Sequence, residues 1–183
     1  MTVAIGPIES ETEVSDVTLP PLNLVPDFTA GLIYGFTGDN HLEELRTCMK
    51  DIDPLVDDVE QAITDLKGLH FFEGAKDLGN IIWLLPDAVQ GCENMDDDMA
   101  AIMAWADIFK HPTKLAKTVS KNWIFHGVQA KKDIAQEETD WEAQKWFAAG
   151  QDTANVLADL IGEVDKPSEP TAKRMPLLGL LIK

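Results

Sequence analysis

Cys48 and Cys92 are the two residues of this 183-residue chain whose side chains can join covalently to each other. A bridge between them would close a loop of roughly 45 residues, which chain-entropy reasoning values at about 4 kcal/mol. Each is followed by an acidic run suited to capping, Lys50-Asp51-Ile52-Asp53 after the first and Glu93-Asn94-Met95-Asp96 after the second. A staple between two helix ends fits that shared context. Two free thiols in a reducing compartment fit it as well, and both readings stay open. Neither cysteine carries the local signature of a catalytic nucleophile that works with a histidine.

The carboxylates offer a second kind of chemistry. Asp96, Asp97 and Asp98, with Asp57 and Asp58, are hard oxygen ligands of the type that calcium takes. A calcium loop also needs an Asp-x-Asp-x-Asn-Gly spacing closed by a Glu, and the chain lacks it. The three aspartates read instead as an acidic first turn beside the positive end of a helix dipole. His41, His70, His111 and His126 stand singly, without the i, i+4 pairing or His-Glu-x-x-His pattern of a zinc helix. The chain has no Asn-x-Ser/Thr sequon for N-glycosylation either. The expectation is a protein that is not an enzyme, with no catalytic residues, cofactor or metal.

Charge carries more information than these motifs. The formal net charge is -17 and the pI about 4.4, which opposes binding to nucleic acid or an anionic membrane, both held mainly through Lys and Arg. The imbalance is uneven: residues 1–109 hold 22 acids against 4 Lys or Arg, while residues 110–132 hold 6 Lys and no acid. Lys110, Lys114, Lys117 and Lys121 recur at i, i+4, i+7 and i+11, which places them on one side of a helix. On so acidic a protein, this stripe suits the acidic face of another copy. Trp141 and Trp146 lie among Glu, Gln and Lys, where large rings need a tail or a partner to cover them.

The elements that must position these residues read as helices. Residues 1–26 hold Pro7, Pro20, Pro21 and Pro26 and read as an extended arm, with Leu22 and Leu24 able to lie in a groove. Residues 27–163 read as the helical domain, and 164–183 as a linker and an apolar tail that contains Leu177 and Leu178. The fold class is all-α: a single globular bundle of about seven or eight helices with extended, Pro-containing N- and C-terminal arms. A first helix is expected after Pro26 through Phe36, and a second, capped by Asp39 or Asn40, through Lys50. Leu42, Leu45, Met49, Ile52, Val56, Val59, Ile63 and Leu66 form a heptad-like seam that Pro54 interrupts, with a helix end at Gly68. A central helix within 70–91, kinked near Pro86, is apolar on most sides. A further helix runs from Asp96 to Phe109. Pro112 opens another, with Leu115, Val119, Trp123 and Ile124 inward and an end at Gly127. Two last helices are expected over 128–150 and 152–162. No apolar run reaches the ~20 residues a membrane-spanning helix requires, and the first residues do not read as a secretory signal.

The layout of Gly31 to Gly35, Cys48, Leu78-Gly79-Asn80, Cys92 and Ala148-Ala149-Gly150 resembles uncharacterised two-cysteine, all-helical proteins of ciliates, many of them secreted. The resemblance covers residues 28 to 163 and implies an all-helical, extracellular body to which the tails are additions. It brings no catalytic residues. The functional expectation is a structural, self-assembling subunit of a filament, coat or large complex, with other copies of itself or further subunits as partners. The alternative is a small helical module for a lipid or other apolar ligand. Location follows the cysteines: extracellular or lumenal with a Cys48–Cys92 bridge, cytoplasmic without it.

Overall fold

The computed structural model describes residues 24–49, 61–62, 64–66, 68 and 70–165, and it is all-α, with no strand among them. The helices are α1 (Leu24–Thr37), α2 (Leu42–Cys48), α3 (Phe71–Ala88), α4 (Asp96–Trp105), α5 (Pro112–Glu142) and α6 (Trp146–Ile161), with a 3-10 segment at Ala106–Lys110 before α5. Gln61, Ala62, Thr64, Asp65 and Leu66 are also helical, and Ala62 and Leu66 are buried. No described helix is long and apolar enough to cross a membrane.

The core is centred on α6, which packs against α1 on one side and α5 on the other. Its small residues allow the close approach: Gly150 faces the α1 backbone at Phe28, and Gly31 of α1 faces the α6 backbone at Phe147. Phe28, Leu32 and Ile33 of α1 and Val156, Leu157 and Leu160 of α6 fill the space around that contact. Thr37 Oγ1 donates to Ile33 O at 3.0 Å, and Gly38 leaves the helix with φ 79°, a conformation that glycine adopts without strain.

α2 is tied down at both ends. The N-cap is His41 and not the expected Asp39 or Asn40, while Asn40 Oδ1, one residue before it, accepts from Leu42 N at 3.0 Å. Arg46 forks onto Asp27 of α1, with Nε to Oδ1 at 2.7 Å and Nη2 to Oδ2 at 2.9 Å. The helix ends at Cys48, two residues before the expected Lys50. In α3, Pro86 sits within the last turn and the helix continues to Ala88, since a proline there removes one hydrogen bond from a helix about to end. The acidic first turn of α4 is Asp96, Asp97 and Asp98, as expected; its continuation to Phe109 tightens into the 3-10 segment from Ala106.

The largest departure concerns α5. The chain does not break at Gly127: one helix of 31 residues runs through it. The cost of a helical glycine, about 1 kcal/mol, is outweighed by a buried line of Leu115, Val119, Ala130 and Ile134 that continues on both sides of it. The actual break is Ala143-Gln144-Lys145, where Gln144 takes φ 56° and Lys145 N donates to Asp140 O at 2.8 Å. α6 consequently starts at Trp146 and not at Asp152. The far end of the α5–α6 pair is held by Asn122 Nδ2 donating to Leu160 O at 3.1 Å and Trp105 Nε1 donating to Gly162 O at 2.7 Å.

Leu24 belongs to this core and not to an extended arm. It is buried in the first turn of α1 next to Val25, because the helix starts two residues before Pro26, whose fixed φ suits a first turn. Leu22, Leu177 and Leu178, the rest of both arms, and the heptad positions Ile52, Val56, Val59 and Ile63 lie outside the described residues.

Candidate interaction surface

α5 presents two unlike faces. Its inner line of Leu115, Val119, Gly127, Ala130, Ile134 and Glu137 recurs at three- and four-residue steps and meets the core. Nearly half a turn away, Lys114, Lys117, Lys121, Ile124, Phe125, Val128, Lys131 and Lys132 share the outer side, and all are exposed. Ile124, Phe125 and Val128 are 77%, 72% and 76% accessible, the three large exposed hydrophobics of the described chain. Ile124 therefore does not face inward as expected. It is in phase with Lys117, Lys121 and Lys131, whereas the core line passes through Trp123. That phase is also the signal that could have revealed Phe125 and Val128.

Lys110 drops out of the predicted four-lysine stripe. It lies in the 3-10 segment, and the His111–Pro112 junction separates it from α5. Its Nζ sits 3.2 Å from Asp107 Oδ1 and 4.6 Å from the centre of the Trp83 ring, and the bond from Lys110 holds the Asp107 carboxyl below its usual range. Lys114, Lys117 and Lys121 continue on one side of α5, joined by Lys131 and Lys132. A depression of about 660 Å³ opens to the surface near the start of α5, bordered by His111, Lys114 and Lys117.

Trp141 and Trp146 find their cover inside the body. The Trp141 ring meets Phe28 of α1 edge-on at 5.8 Å and Trp146 edge-on at 5.1 Å. Both are half-buried: Phe28 of α1 gives Trp141 part of the cover that sequence reasoning gave to a tail or partner, and Trp146 packs on Trp141. Trp83, Trp105 and Trp123 pack against the core, with Trp123 stacked on Phe71 and Lys131 over its ring.

The opposite charge collects around the cysteines. Cys48 and Cys92 form a disulfide, with Cα atoms 5.4 Å apart, which pins the end of α2 to the loop after α3. His41 Nε2 lies 2.7 Å from Asp98 Oδ2, so the start of α2 is fixed to the first turn of α4. Between these two ties run Glu43, Glu44, Glu93, Asp96 and Asp97, with Glu43, Glu93, Asp96 and Asp97 exposed. The described body thus carries a stapled acidic end and a basic helix face with an apolar centre. No group of three or more His, Cys, Asp or Glu among the described residues could hold a metal ion. No protein-family model, curated protein or solved structure matches this chain.

Proposed function

We propose that the protein is a non-enzymatic assembly subunit whose α5 face docks on the acidic end of another copy. The supporting observation is the placement of Ile124, Phe125 and Val128 in a row flanked by Lys117, Lys121, Lys131 and Lys132. An apolar centre with a charged rim is the common layout of a protein interface, and burying one such side chain is worth about 1.5–3 kcal/mol. On a chain of net charge -17, the surface best matched to that rim is the chain's own acidic one. A contact between two different patches is heterologous, and it builds filaments unless its rotation closes a ring. The proposal also assigns residues 1–23 and 166–183 to contacts with a neighbour. A truncation that tests this must stop before Leu24, which is part of the core.

The disulfide supports an oxidising, extracellular or lumenal setting. The helical body and that bridge also support the resemblance to two-cysteine helical proteins of ciliates.

The test is native mass by light scattering across a salt series. A particle well above 20.2 kDa at low salt that dissociates as salt rises is the expected result, because salt screens exposed complementary charges. Phe125→Glu combined with Val128→Glu should yield a monomer at all salt concentrations, with an unchanged circular dichroism spectrum, since neither side chain is packed. A salt-independent monomer from the unaltered chain sinks the assembly reading. If that monomer pellets with vesicles of anionic lipid, the α5 face is a lipid-docking surface and the binding-module alternative takes its place.

A further inference from the structure

Three polar contacts run along the seam between α5 and α6, and each pairs an acid with another acid or with a hydroxyl. Nearest the turn, the Asp140 and Asp152 carboxyl groups stand beside each other. One turn further along α5, Glu137 is completely buried and contacts the buried Thr153 hydroxyl. A further turn on, the Asp133 and Asp159 carboxyl groups stand beside each other.

Proton counting decides the state of these groups. Two carboxyl groups make a hydrogen bond only if one of them brings a proton. Thr153 Oγ1 reaches both Glu137 Oε1 and Ala149 O, the latter at 2.9 Å, yet a hydroxyl has one proton to give. Both contacts are made together only when the Glu137 carboxyl supplies a proton of its own. Glu137 Oε2, Asp152 Oδ2 and Asp159 Oδ2 are buried oxygens with no donor beside them, a costly position for a charged carboxylate and a tolerable one for an acid. The ionised member of the outer pair is Asp140, which accepts from Gln136 Nε2 at 2.9 Å and Lys145 Nζ at 3.0 Å.

The other charges near the seam do not replace these protons. Lys145 serves Asp140, and His126 faces Asp159 from α5. α1, packed on the other side of α6, brings Asp27, already bound by Arg46, and Tyr34, packed against Phe147. The rest of its inward face is apolar apart from Thr29 and Thr37.

We propose that the α5–α6 seam is a proton-operated clasp: it is closed while Glu137, Asp152 and Asp159 hold protons, and it loosens when they lose them. This device is independent of the assembly reading.

The pH window follows from the surroundings of each acid. Burial, then the neighbouring Asp140 charge, pushes Asp152 up to about 6; burial pushes Glu137 up to about 8; and burial with Asp133 raises Asp159. An acid that keeps its proton to higher pH in the folded chain than in the unfolded one favours the fold at low pH, and that advantage disappears as pH rises through the folded value. Unfolded Asp and Glu titrate near 4, so stability declines from about pH 4 to about pH 8 and levels off above it. Asp140 has the opposite sign: its bonds to Gln136 and Lys145 hold it below the usual range, so its contribution is lost only at lower pH, outside this window.

Thermal melting from pH 5 to pH 9 tests the clasp, with Glu137→Gln and Asp152→Asn beside the unaltered chain. The unaltered midpoint is expected to fall by at least about 5 °C across this range, with Glu137→Gln losing about half or more of that slope and Asp152→Asn a smaller share, most of it below about pH 6. Amide exchange gives the local reading. After correction for intrinsic rates, amides of 133–159 should open more readily toward pH 9 than those of α3, and the difference should shrink in the variants. If Glu137→Gln does not fold, Asp152→Asn, at a shallower site, gives the same comparison. A level midpoint in the unaltered chain, or a pH slope unchanged in the folded variants, overturns the proposal.

Discussion

With Cys48 and Cys92 both replaced by serine, the thermal midpoint is expected to fall by roughly 8–16 °C, the counterpart of about 4 kcal/mol in a chain of this size. The bridge spans 44 residues of sequence, so its loss returns a large loop's freedom to the unfolded chain. It also removes a tie on the folded side. α2 has seven residues, too few to be stable alone, and keeps its place through the disulfide, the Arg46–Asp27 fork and the His41–Asp98 contact. The measurement is paired melts of the double variant and of the unaltered chain with and without reductant. A double variant that melts within about 2 °C of the unaltered chain refutes a stabilising role for the bridge, since that interval corresponds to no more than ~1 kcal/mol. Single replacements should cost as much and add a reactive thiol, so the double variant is the cleaner comparison.

Gly31→Ala and Gly150→Ala are each expected to cost about 3 kcal/mol or more, although alanine is the better helix former by about 1 kcal/mol. A Cβ on Gly31 would stand 1.9 Å from Phe147 O, and one on Gly150 would stand 2.1 Å from Phe28 O. These neighbours are backbone atoms and cannot rotate away, so α1 and α6 must separate and uncover Phe28, Leu32 and Leu157. Overpacking outweighs propensity here because the contact is rigid on both sides. Gly127→Ala is the control: its new Cβ would meet the Trp123 ring at 3.0–3.3 Å, a side chain on the same helix that can shift. It should therefore melt close to the unaltered chain. Denaturant titration ranks the three, and a Gly150→Ala midpoint equal to that of Gly127→Ala would contradict the close α1–α6 crossing.

What the sequence revealed depended on whether local signals and packing agreed. The all-α class, the acidic first turn at Asp96 and the Pro112 start were legible because each is set within a few residues. Cys48–Cys92 was one of two open readings until the fold brought the residues together. The Gly127 boundary failed because a local penalty was set against a long buried line that repays it, which a window of a few residues does not show. Glu137 escaped notice for a related reason. It stands three residues after Ile134 on the core line, but a glutamate in a charge-rich stretch reads as solvated unless its phase is followed through. Trp141 and Trp146 are half-buried, and the ring that Trp141 meets, Phe28 on α1, is a long-range contact with no trace in neighbouring residues.

α5 joins two regions that were described apart. Its acid-bearing stretch, from Asp133 to Asp140, lies toward one end, and the exposed lysines and apolar side chains from Lys114 to Lys132 occupy the remainder. With no break along 31 residues, the helix is a beam about 46 Å long. Motion at one end of a beam is magnified at the other: a tilt of about 5° at the acid-bearing end would displace the Lys114 end by roughly 3–4 Å at a rise of ~1.5 Å per residue. That displacement is on the scale of a side-chain contact. Continuity through Gly127 thus joins the acid-bearing seam rigidly to the surface most suited to meeting another molecule, so a tilt of α5 must also move the buried Leu115 and Val119 and the Asn122–Leu160 bond.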